Sequence, residues 1–217
     1  MNLVNLFENY FCRFGIDLCL SIFLLLDFKK IKPHILSLQK GRVLISEPFL
    51  NDPQFRRTVV LLGEHNIEGS VGFIINRLLA VTSNEIIPDI LDINFPLFYG
   101  GPVEPNTLHF IHKVGHLIEG SQEIMEGVFW GGDIELVNDL LNKKIVTPDE
   151  FRFFVGYSGW SPNQLEEEIS EKAWWVADAN AEIVFDDDLE NIWKRIVQTL
   201  GDDFAYMANS PDDPRWN

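Results

Sequence analysis

The chain predicts a mixed α/β fold: a layered sandwich in which a hairpin-rich, mixed β-sheet is flanked by helices. Three observations carry that expectation. Short β-branched runs recur from Arg42 to Ala177, and some are apolar enough to be buried on both faces. Two of these runs are joined by a short connection ending in glycine, which makes a hairpin rather than a crossover. Amphipathic segments with clear start signals are interleaved with the runs. That order suits neither a doubly wound parallel sheet nor a pure β-sandwich.

The elements follow in order. Arg42–Ser46 reads as a strand stopped at Pro48, and Phe49–Arg57 as a loop around Asn51-Asp52-Pro53. Thr58–Glu64 and Ser70–Asn76 are buried strands linked by the five residues His65–Gly69. Thr82–Ile90 holds a short helical turn capped by Thr82 or Ser83 and broken at Pro88. Phe95–Tyr99, Thr107–Lys113 and Glu123–Trp130 are further strands. Asp133 caps a helix through Lys143, with Ile134, Val137, Leu140 and Leu141 on one face. Thr147-Pro148-Asp149-Glu150 and Ser161-Pro162-Asn163-Gln164 have the form of capping boxes with proline in the first turn. Asp187 with Glu190 opens a third such helix, whose stripe ends at Gly201. Phe153–Tyr157 and Trp174–Ala177 complete the strands, and Asp202–Asn217 has the composition of a loose tail.

Three stretches result: a leader over residues 1–39, a domain over 40–201 and a tail over 202–217. The leader carries Cys12 and Cys19, seven apart and without metal-ligand spacing, so the body of the protein has no disulfide scaffold and a reducing cytoplasm suits it. Its apolar run Leu18–Leu26, bounded by Asp17 and Asp27, is too short for a membrane span, which needs about 20 apolar residues. Hydrophobic residues make up 46% of the 217, enough for a packed core. The net charge of -16, with no Lys/Arg-rich run, opposes direct nucleic-acid binding, whose affinity comes from basic groups replacing counterions.

No complete catalytic set is written in the chain. His109 and His112 fall on opposite faces of a strand and cannot share a metal, so neither a metal nor a cofactor is expected. Gly156-Tyr157-Ser158-Gly159 is one residue short of a nucleophile elbow, and Ser161 is expected to cap a helix. Glu64-His65-Asn66, where a buried strand emerges, is the best chemical cluster, since a Glu–His pair shuttles protons near neutral pH. Asn76-Arg77 at the next strand's end is a candidate anion grip that the hairpin could bring near it. The stiff turn at Gly100-Gly101-Pro102 and the loop at Trp160, with Gln164 after it, are candidate walls of a binding groove. Trp160 is either a ligand platform or a plug in the core.

Taken together, these motifs resemble the YqgE/AlgH family of bacterial proteins. The resemblance runs from Gly41 to Gly201 and rests on four groups of residues. These are Gly41-Arg42-Val43-Leu44-Ile45-Ser46 with Pro48, then Glu64-His65-Asn66 with Gly69, then Gly72-Phe73-Ile74-Ile75-Asn76-Arg77 with Gly100-Gly101-Pro102-Val103, and last Gly159-Trp160, Pro162 and Gln164-Leu165-Glu166. Two positions depart from the family's pattern: Leu78 stands where proline is usual, and Asn163 where glycine is usual. The resemblance implies an α/β sandwich and a cytoplasmic bacterial protein. It supplies no catalytic residues, and one branch carries the name of a transcriptional regulator of exopolysaccharide synthesis. The expected function is a binding or regulatory module acting through a small molecule, a peptide or a protein partner. The alternatives are an enzyme using Glu64, His65 and Arg77, or the regulator that the family name suggests.

Overall fold

The structure is a computed structural model and describes residues 37–86, 92–201, 204 and 206–209. Ten strands form one large sheet among these residues. They are β1 (Val43–Ser46), β2 (Val59–Asn66), β3 (Gly69–Ile74), β4 (Leu78–Thr82), β5 (Pro96–Tyr99), β6 (Val103–His112), β7 (Gln122–Met125), β8 (Val128–Trp130), β9 (Phe151–Trp160) and β10 (Trp174–Ala177). The helices are α1 (Ser83–Ile86), α2 (Ile134–Asn142), α3 (Gln164–Ser170), α4 (Ala181–Val184) and α5 (Ile192–Thr199). The strand order is β10-β1-β2-β3-β9-β6-β8-β7, with β5 on β9 and β4 on β5. All pairings are antiparallel except β5 with β9, so the expected mixed, hairpin-rich sheet is present.

The longest strands organise the rest. One edge of β9 pairs first with β5, at Phe153–Val155, and then with β3, at Ser158–Trp160. The other edge pairs with β6. The chain must therefore pass from one side of β9 to the other between β5 and β6, and Gly100-Gly101-Pro102 is that crossing. A Cβ on Gly100 would overlap the Gly156 carbonyl, and one on Gly101 would overlap Ser158. Gly156 itself takes φ +67 beneath the crossing. The Gly100 amide donates to Val155 O at 3.0 Å, and its carbonyl accepts from Ile74 N and Ser158 Oγ, both at 3.0 Å.

Two buried clusters lie against the sheet. One, under α3 and the loop after β1, holds Leu44, Val60, Leu62, Ile74, Trp160, Leu165, Ile169, Trp174 and Val176, with Phe55 and Tyr99 at its margin. The other joins Leu97, Phe110, Phe151 and Phe153 to Val137, Leu140 and Leu141 of α2. The sheet also curls: Lys40 Nζ donates to Glu123 O at 3.1 Å, and a Cβ on Gly41 would meet Met125 Cβ at 2.9 Å. Arg152 in β9 is buried, donating from Nη1 to Ile75 O at 2.9 Å and from Nη2 to Asp186 O. Burial lowers its pKa to about 10, opposed by the Asp187 charge.

Several expectations change. The β2–β3 connection is only Ile67-Glu68, because Asn66 and Gly69 are already paired. The run 123–130 is two strands folded at Gly127 (φ +72), and β6 and β9 start earlier than their β-branched cores suggest. The box at Thr147–Glu150 forms, but it caps a single 3₁₀ turn that leads straight into β9. Ser161 is not the helix cap; Asn163 is, with φ +64. The third box also shifts: Asn191 caps α5. Part of the tail is packed rather than loose, with Phe204 4% exposed and set edge-on against Trp175. The turn at Thr82–Ile90 is α1 as far as Ile86, and the remainder lies outside the described residues, as does the leader as far as residue 36.

His109 and His112 do occupy opposite faces. His109 stands beside Phe73, Trp130 and Tyr157, and His112 is fully buried among Phe110, Phe129 and Phe151. Burial lowers the pKa of both rings. Among the described residues, no three His, Cys, Asp or Glu are arranged to hold a metal.

Candidate functional site

Gly63 decides where the polar cluster points. It is an extra residue in β2, a bulge between the pairs Leu62–Gly72 and Glu64–Val71. The bulge turns Glu64 to the face opposite Leu62, and His65 to the face covered by α3. As neighbours in an extended strand, Glu64 and His65 do not face each other. Glu64 Oε1 accepts from Asn66 Nδ2 at 2.7 Å, and Asn66 Oδ1 accepts from Glu68 N at 2.7 Å, which stiffens the hairpin tip. His65 Nδ1 lies 2.8 Å from Ser70 Oγ, and its Nε2 lies 3.8 Å from Glu166 Oε1. A serine, a histidine and a glutamate in that order have the connectivity of a nucleophile relay. Ser70 is only 5% exposed, and its hydroxyl lies against the His65 ring.

Asn76 and Arg77 stand at the other end of the same hairpin. Asn76 Oδ1 accepts from Val59 N at 2.9 Å, and its Nδ2 donates to Arg57 O at 2.9 Å. Glu64 is five residues further along β2, about 16 Å away. Arg77 Nη1 donates to Gln54 O at 2.6 Å and Nη2 to Arg56 O at 3.2 Å, while the guanidinium lies 5.9 Å from the Tyr99 ring. Desolvation lowers its pKa, against the favourable charges of Tyr99 and Asp52. The expected anion grip thus holds the protein's own loop. The hairpin separates Arg77 from Glu64 and His65 instead of gathering them.

Trp160 is 6% exposed and belongs to the core beneath α3. Its Nε1 donates to Glu168 Oε2 at 2.9 Å, and Trp174 Nε1 donates to the same oxygen at 2.7 Å. Gln164 Nε2 donates to Glu168 Oε1 at 2.9 Å, and Gln164 Oε1 accepts from Ser161 N at 3.0 Å. Phe55 packs edge-on against Trp174 at 5.3 Å. The group at the Trp160 indole is thus a carboxylate of the chain itself. Nothing local in the sequence signalled this, because Trp174 arrives from β10. Gly100, Gly101 and Pro102 form the crossing over β9; the two glycines are buried and have no side chain to offer a groove, and Pro102 is half-buried.

These pieces converge all the same. The Glu64–Gly69 tip, the Gly100–Pro102 crossing and the Trp160 turn all border the second half of β9. A Cβ on Gly69 would overlap Trp160 O and lie 3.3 Å from Ser161 C, and Val103 pairs with Tyr157. The AlgH-like family model matches residues 43–205, which spans all three. This chain belongs to the AlgH-like family.

Among relatives, a UPF0301 protein of Chlorobium limicola is 44% identical over 191 residues, covering 88% of this chain and 98% of that one. One from Cytophaga hutchinsonii is 39% identical over 181 residues, covering 83% and 100%. The solution structure of AlgH from Pseudomonas aeruginosa superposes with a TM-score of 0.62 at 27% identity, over 83% of this chain and 98% of that one. A crystal structure of protein DIP2367 from Corynebacterium diphtheriae shares the fold at a TM-score of 0.69 and 20% identity, over 84% and 97%. The family's two departures now have a structural setting. Asn163 sits in the left-handed region that glycine favours and asparagine tolerates. Leu78 begins β4 and is half-exposed opposite Phe98.

Proposed function

We propose that this AlgH-like protein is a non-enzymatic binding or regulatory module of the bacterial cytoplasm. It acts through a small-molecule, peptide or protein partner, at the surface around the Glu64–Gly69 tip and the Trp160 turn. The observation that carries the reading is the fate of the candidate reactive groups. Arg77, Asn76, Gln164 and the Trp160 indole are bonded within the domain, and Glu64 and His65 diverge. What remains outward is a rigid, acidic turn surface, which suits recognition. The net charge of -16 directs that recognition away from nucleic acid and towards basic or neutral partners.

Native mass spectrometry and size-exclusion of the full chain, isolated gently from its own cells, test this. A stoichiometric adduct or a complex above the 25.0 kDa of the bare chain is the expected result. A bare monomer throughout overturns it, as does a turnover that His65→Gln abolishes.

A further inference from the structure

We infer that Ile67 is an apolar knob that inserts into a lysine- and arginine-rimmed pocket of a folded protein partner. This rests on the binding-module reading and names the class of its partner. Ile67 is 89% exposed, whereas the other outward-facing large hydrophobic side chains among the described residues are 40–58% exposed. It occupies a two-residue hairpin turn, a place where Asn, Asp or Gly gives the better turn and a β-branched side chain gives none of their help. The left-handed geometry the turn requires is supplied by Gly69 (φ +129), so isoleucine is accommodated without being needed for folding.

The tip is held before any partner arrives. Asn66 braces Glu64 and Glu68, His65 is tied to Ser70, and Gly69 lies against the Trp160–Ser161 backbone. A preformed knob loses little conformational entropy on docking. Its surroundings carry one sign of charge. Glu64 and Glu68 flank it, Glu166 and Glu167 stand exposed on the neighbouring α3, and Glu166 reaches within 3.8 Å of His65. Residues 58–76 and 153–168, which build this surface, contain no lysine or arginine. That field selects a basic rim and repels an acidic one.

The test is photo-crosslinking in the cells that make the protein, using the full chain with Ile67→p-benzoylphenylalanine, which keeps the knob apolar. The crosslinked peptide is sequenced. The partner so identified is then purified and titrated with wild type, Ile67→Ser and the double variant Glu64→Gln/Glu68→Gln, at low and high salt. The inference expects an adduct at an apolar pocket flanked by Lys or Arg. It also expects at least tenfold weaker binding by Ile67→Ser with an unchanged melting temperature, and a flatter salt dependence in the double variant. No adduct overturns it, and so does an adduct to nucleic acid or to a disordered peptide, or a partner bound equally well by Ile67→Ser. A complex that survives Ile67→Ser sinks the knob while leaving the binding module standing.

Discussion

Trp160 has the chemistry of both a ligand platform and a core plug, and its contacts assign it to the second. The ring is buried with Leu165, Ile169 and Trp174, and its one polar atom is satisfied by Glu168. Trp160→Ala removes a large buried ring and should cost about 3–5 kcal/mol in denaturant unfolding. Trp160→Phe keeps a ring but loses the indole donor, and should cost less. A Trp160→Ala protein with unchanged stability would return the side chain to the ligand. The sequence showed Trp160 on a stiff turn before a helix. Its indole's acceptor was hidden, because the Glu168 carboxylate is shared with a tryptophan from another strand. Asn163 is the more legible residue: it stands where glycine is usual in the family, and its backbone at φ +64 is a conformation that asparagine tolerates.

The element that sets the architecture is β9, whose second half brings the chain's distinctive motifs together. Where the β5–β6 crossing passes over it, Gly100 has no room for a side chain, although its own φ is not in the left-handed region. Gly127, at the β7–β8 turn, is the converse: φ +72 with nothing within 4 Å of a built Cβ. Gly100→Ala should therefore lose about 3 kcal/mol or more through overlap with the Gly156 carbonyl. Gly127→Ala should lose only the left-handed backbone penalty of about 1–2 kcal/mol. Urea melts with matched m-values measure both, and equal losses would remove the crossing's special status. Most strands were visible in the sequence because β-branched runs bounded by glycine and proline mark them locally. That β9 has β3 and β5 in tandem on one edge was not visible, since pairing between distant segments leaves no local signature. The bulge at Gly63 had the single cue of a glycine inside a strand. Glu64 and His65, as neighbours in an extended strand, point to opposite faces in any case, and the bulge decides which face each one takes.

For the whole molecule, the strands and buried clusters of the described domain account for one another. Both edges of β1 are paired, Trp193 of α5 donates to Ser46 O at 3.0 Å, and Phe204 closes over Trp175. Two relatives align with this chain over 180 and 181 residues, 96% and 100% of their own lengths. The family match covers residues 43–205. Deletion of residues 1–36 should accordingly leave a domain that melts in one cooperative transition, with calorimetric and van't Hoff enthalpies in agreement. The apolar run Leu18–Leu26 makes the opposite outcome concrete. If it covers an apolar face of the domain, the shortened chain exposes that face, binds hydrophobic dyes and aggregates on heating. A soluble, cooperative fragment separates the leader's role from folding and leaves it to be sought in where the protein is placed or what it meets. An aggregating one makes residues 1–36 part of the structural unit and moves the domain's true start before Lys40.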